Sequence, residues 1–322
     1  MTTNNFNNRY VNNTVNPSLR GWLIFAQFTG TILSVIGLMT FIYYMKNISN
    51  SLSSNDTTGK SLFALILSIL VYFVWRSIYT SWVIVRFAKN STDEELCANR
   101  YIISALSLGV GGLFTPFLMT QFPNMTTTST MKPRYFLSKI MGTCILIGSP
   151  IFAITYLLSN LFSINRISML FDISQTSGFI SVVVLVASVL FFLFGLVTTS
   201  LFHKKETLNE FENHNISPSL KVISTIWMVI LTIELLVVIL MAIIRLMGAF
   251  LELFKSLERN SGIFMFVIGL FNLMITFSYV MMVVYVTKRT MLGLWANDGV
   301  VVIKEYRHNT VAQKRMAAIS NI

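Results

Sequence analysis

The chain has 322 residues, of which 54% are hydrophobic and 11% charged, with a mean hydropathy of +0.68. A soluble domain carries about 25% charged residues, so this composition excludes a water-soluble globular protein and any large soluble domain beside the apolar one. The net charge of +11 is that of basic residues gathered in the cytoplasmic loops of a membrane protein, and no folded basic surface is visible that would take nucleic acid.

Residues 1–20 form a polar, Asn-rich tail with seven Asn in the first 16 positions. Such a tract buries too little apolar surface to order itself. It also lacks the apolar core and small-residue cleavage site of a signal peptide, so the first helix is expected to stay as an uncleaved anchor. Seven apolar stretches then fill residues 21–287, each long enough to cross a ~30 Å hydrocarbon core as a helix. The first is Gly21 to Tyr44 and the second Ser61 to Phe87, interrupted by Arg76. The third, Tyr101 to Gln121, carries Gly109, Gly111 and Gly112 at its centre and Pro116 one turn later. That cluster favours a broken helix, and broken backbone survives at membrane depth only against protein or a watery cavity.

The fourth and fifth stretches are Tyr135 to Phe162 and Gly178 to Phe202. The sixth, Leu220 to Phe254, is ~52 Å long if wholly helical, which exceeds the bilayer core. Its end places Met247, Phe250, Leu251 and Phe254 at helical spacing beside Glu252, Lys255, Glu258 and Arg259, the pattern of an amphipathic extension near the interface. The seventh runs from Gly262 to Val286, and Lys288 opens a basic tail, residues 288–322, read as cytoplasmic.

The expected fold is therefore all-α, a polytopic transmembrane helical bundle. Seven crossings put 14 Lys and Arg inside and 8 outside, whereas six crossings, with the broken third stretch returning to its own side, put 17 inside and 5 outside. The basic-residue rule prefers six, with seven as the alternative. One observation pulls the other way. Measured from Lys60 and Lys221, Arg76 and Glu234 lie ~22 Å and ~20 Å deep. Seven crossings make them level, and six offset them by about 10 Å.

Ionisable groups inside apolar runs are costly and mark candidate sites. Glu234, Arg76 and Asn272 form the candidate intramembrane polar site, with Gln27, Thr232 and Ser278 as further polar residues along the same path. Arg245, three turns after Glu234, reads as an interfacial anchor. Enzyme chemistry is not expected. His203, His214 and His308 are dispersed in loops, and the sequence has no HExxH, GxSxG, Walker A or dinucleotide pattern. Cys97 and Cys144 make no disulfide framework, and no cofactor or metal is called for. The expected partners are the lipid bilayer and a membrane or cytosolic protein on the C-terminal tail. The reading is a plasma-membrane protein, a subunit of a transport system. The alternative is an interaction protein that recruits partners through its amphipathic extension and tail.

The stretch GGLFTPFLMTQFPN (Gly111 to Asn124), followed by MKPRYFLSK (Met131 to Lys139), resembles multi-pass membrane proteins of mollicutes that carry no assigned function. The resemblance implies a location and no catalytic chemistry. The chain departs from energy-coupling-factor transmembrane subunits, whose paired Ala-Arg-Gly motifs it lacks.

Overall fold

A computed structural model describes residues 17–51, 57–107, 115, 118, 121–122, 132–164, 172, 174–212, 215–258 and 263–295. Residues 1–16 of the Asn-rich tail, the tail beyond Trp295, and Gly109, Gly111, Gly112 and Pro116 lie outside the described residues; residues 17–20, read as the end of that unordered tail, are instead helical. Among those described, helices account for nearly everything: α1 (Pro17–Ser51), α2 (Thr57–Asn90), α3 (Asp93–Ala98), α4 (Arg100–Ser107), α5 (Lys132–Ile164), α6 (Thr176–Phe202), α7 (Lys205–Glu212), α8 (Pro218–Glu258) and α9 (Ile263–Trp295). Six of these, α1, α2, α5, α6, α8 and α9, are long and apolar enough to cross a membrane. The last does not stop at the Lys288–Arg289 pair but continues to Trp295.

The third apolar stretch does not cross. The guanidinium of Arg100, at the start of α4, donates to the backbone carbonyl of Phe122 at 3.4 Å, whereas a helix crossing over those 22 residues would part them by ~33 Å. The stretch enters at one end of the bundle and is back at that end by Phe122. Between these points it reaches inward. Ile102, Ile103, Ala105 and Leu106 are buried in a core shared with Leu23 of α1, Ile84 of α2, Leu137 of α5 and Trp227 of α8.

We term this end of the bundle the capped end, because α3, α4 and α7 gather there. Local sequence explains α3: Thr92 caps it and exchanges bonds with Glu95, the two halves of a capping box. Arg20 ties the start of α1 to the same place, donating to the Ala88 carbonyl at 2.7 Å, the Ser91 carbonyl at 3.0 Å and the Asp93 carboxylate. A cation on the last carbonyls of α2 is the favourable sign for a helix C-terminus.

Small residues let the spans approach closely, as packing in lipid requires. A Cβ added at Gly195 of α6 would sit 2.7 Å from the backbone nitrogen of Leu146 in α5, and one at Gly142 of α5 would sit 2.7 Å from Thr198. At the opposite, open end, Ser61 of α2 donates to Asn160 of α5 at 3.2 Å, and Tyr156 of α5 meets Ser181 of α6 at 3.0 Å. Helices α8 and α9 pack on each other through Ala242, Val280 and Val283. Their open-end halves expose apolar side chains such as Met247, Leu251, Phe264 and Ile275. Helix α8 is unbroken from Pro218 to Glu258, so the expected amphipathic extension is the continuation of the span itself.

Candidate functional site

The buried face of α2 repeats about every fourth residue: Ala64, Ser68, Arg76, Thr80, Ile84 and Ala88. Arg76 therefore belongs to the protein-facing stripe, and its guanidinium does not turn to lipid. Its two terminal nitrogens donate to the two carboxylate oxygens of Glu234 on α8, both at 2.6 Å. This is the bidentate fork that a planar guanidinium makes with a carboxylate. The Arg76 side chain is 10% exposed and that of Glu234 31%.

The pair forms within a six-crossing arrangement, which corrects the expectation that six crossings would offset its members. That offset assumed a 30 Å span measured from Lys60. Helix α2 has 34 residues, or ~51 Å, so depth from one end says little about depth from the other. Counted from the capped end, Arg76 is 14 residues before Asn90 and Glu234 is 16 residues after Pro218. The corresponding heights of ~21 Å and ~24 Å are level within one turn.

Beside the pair lies a cavity of about 220 Å³. It is walled by Gln27 and Gly30 of α1, by Phe73, Ser77, Thr80 and Ser81 of α2, by the last residues of α4, and by Leu231 to Val238 of α8. Gln27, 3% exposed, joins three elements: its amide donates to Thr115 at 2.8 Å, and its carbonyl accepts from Ser81 at 3.3 Å. Thr115 belongs to the returning limb of the third stretch, so this amide fixes the re-entrant segment against α1 and α2. Ser34 of α1, two turns after Gln27, meets Ser77 of α2 at 3.0 Å. On the other side of Glu234 runs a larger groove of about 560 Å³, lined mainly by apolar groups including Tyr72, Phe152, Phe191 and Trp227.

Not every residue singled out in the sequence joins this site. Asn272 is exposed on α9 and has no part in the pair or its cavity, which corrects its place in the candidate site. One face of α9 packs on α8, and Asn272 lies on the other. Ser278 is likewise exposed, and Thr232 instead accepts from the indole nitrogen of Trp295 at 3.1 Å. Arg245 is exposed. Conversely, Thr80, Ser81, Ser107 and Thr115 line or brace the site and were not singled out. The four-residue spacing of Arg76 and Thr80 was the available signal for Thr80. Nothing local marks Thr115, whose partner is 88 residues away.

Both free thiols are buried. In the capped-end helix α3, burial pushes the Cys97 thiol up to about 11, with nearby Arg100 opposing the shift and Asp93 adding to it. Among the described residues no cluster of His, Cys, Asp and Glu is suited to hold a metal ion.

Comparison of the chain with protein-family models, with curated proteins and with solved structures gives no match.

Proposed function

We propose that this integral membrane protein is a non-enzymatic subunit of a transport system in the cell membrane, with its site at the Arg76–Glu234 pair and both ends of the chain in the cytoplasm. The observation that carries the reading is the meeting of a re-entrant segment, a cavity and a charged pair at mid-span. Backbone that turns back at membrane depth is tolerated only against protein or a watery cavity, and solute paths are built in that way. A purely structural bundle would gain nothing from holding two ionised groups there, since replacing a buried pair by apolar residues is often neutral or stabilising.

The orientation follows from charge. Six crossings leave 17 Lys and Arg in the tails and connections on the side of the capped end and 5 in the connections on the other side, so the positive-inside rule puts the capped end in the cytoplasm. The resemblance of residues 111–139 to mollicute membrane proteins is in keeping with a cell-membrane location. The test is genetic. Glu234→Gln and Arg76→Ala are expected to impair solute uptake and growth by more than any fall in the amount of protein in the membrane accounts for. Unchanged uptake and growth in both variants, together with loss of co-purifying proteins on removal of residues 296–322, would reject transport in favour of partner recruitment.

A further inference from the structure

The charge and hydrogen-bond inventory of the cavity narrows what it can accept, granted the transport reading above. Arg76 and Glu234 neutralise one another, so a ligand bringing net charge would leave an uncompensated ion at membrane depth. The ligand must therefore be neutral overall. Next, the hydroxyl protons of Thr80, Ser81 and Ser107 are already given away, to the carbonyl of Arg76 at 2.8 Å, to Gln27 at 3.3 Å and to the carbonyl of Ile103 at 2.7 Å. Their oxygens remain as acceptors on the cavity wall beside the Glu234 carboxylate, and a carboxylate has about four acceptor sites, of which the fork uses two. An ammonium group, with three donors and no acceptor, satisfies such a wall.

The other half follows from the fork. When an ammonium takes Glu234, the two nitrogens of Arg76 are released together, and they match the planar pair of oxygens on a carboxylate or phosphate. Ser77 meets Ser34 at 3.0 Å, the other side chains of the lining are apolar, among them Phe73, Leu106, Leu235 and Val238, and the cavity opens past Ile233 and Val237, both more than half exposed. We propose that the cavity takes a zwitterion with an apolar body, its ammonium on Glu234 and its carboxylate or phosphate on Arg76, inserted between the two residues. At about 220 Å³ the space falls below the ~300–1,000 Å³ of drug-sized pockets. It fits a free amino acid with an apolar side chain, or the ethanolamine phosphate headgroup of a lipid whose chains stay outside.

The experiment measures binding to the purified full-length protein in detergent micelles. The probes are leucine, dihexanoylphosphatidylethanolamine, 4-methylpentanoate, which lacks the ammonium, and 3-methylbutylamine, which lacks the carboxylate. One of the two zwitterions is expected to bind and to raise the melting temperature, with both monopolar probes weaker by about tenfold or more. Leucine as the binder identifies a free solute, and the phospholipid identifies a headgroup. Glu234→Gln and Arg76→Lys should each lose about tenfold or more, while Asn272→Ala binds as the native chain does. Equal binding of either monopolar probe, or no binding of either zwitterion, overturns the proposal on the native protein alone, whether or not the variants fold. If the pair variants impair uptake yet no zwitterion binds, the ligand class is wrong and the transport reading stands. If they leave uptake unchanged, the transport reading fails whatever binds.

Discussion

Two side chains separated by 158 positions carry most of the site's chemistry, and their energetics set separate expectations for stability and function. Arg76→Ala leaves the Glu234 carboxylate without its partner, a loss of ~3 kcal/mol in thermal unfolding. That is the lower end of the range for broken buried pairs, because Glu234 is partly exposed. Replacing both with apolar residues, Arg76→Met with Glu234→Leu, should restore most of that stability without restoring uptake. Recovery of uptake in the double variant would make the pair a structural brace only. Cys97 offers a check on the capped end. With its thiol raised to about 11, the reactive thiolate is scarce at pH 8 and grows about tenfold per pH unit up to that value. Maleimide should react with it slowly at pH 8, and rapid reaction there would show that α3 is not seated as described.

At the scale of elements, the spans owe their closeness to glycine and serine more than to large side chains. Gly195→Leu would drive a side chain into the backbone of α5 at Leu146, and it should lower the melting temperature and the yield of folded protein. The same substitution at Gly37, whose added Cβ meets nothing within 4 Å, should be tolerated. The contrast separates helix packing from simple hydropathy, which both changes raise. Much of this level was legible in the chain: six spans stand out by length and apolar content, and the count of basic residues on either side singled out the stretch that fails to cross. The level of Arg76 and Glu234 was misjudged because apolar length was taken for helix length, while α2 continues through Arg86 and Lys89 to Asn90. The bond between Gln27 and Thr115 was beyond reach, since a pairing 88 residues apart leaves no periodic trace in either segment.

The whole molecule is a bundle with six helices long and apolar enough to span a membrane, whose third apolar stretch enters and leaves at the capped end, with an ion pair held at mid-span. Asn272 shows why composition alone overstates a site: a polar residue on an apolar helix was read as part of the cavity, and the helix turns it to the outside. Because Cys97 and Cys144 are buried, single cysteines introduced elsewhere report with little background. The most direct measurement places them in turn at Asn55, Glu95, Thr128 and Leu170 and treats intact cells with a membrane-impermeant maleimide. Labelling at positions 55 and 170, with none at 95 or 128 until the membrane is opened, is the result the account predicts. Labelling at 95 and 170, with none at 55 or 128, would mean that the third stretch crosses and would contradict it.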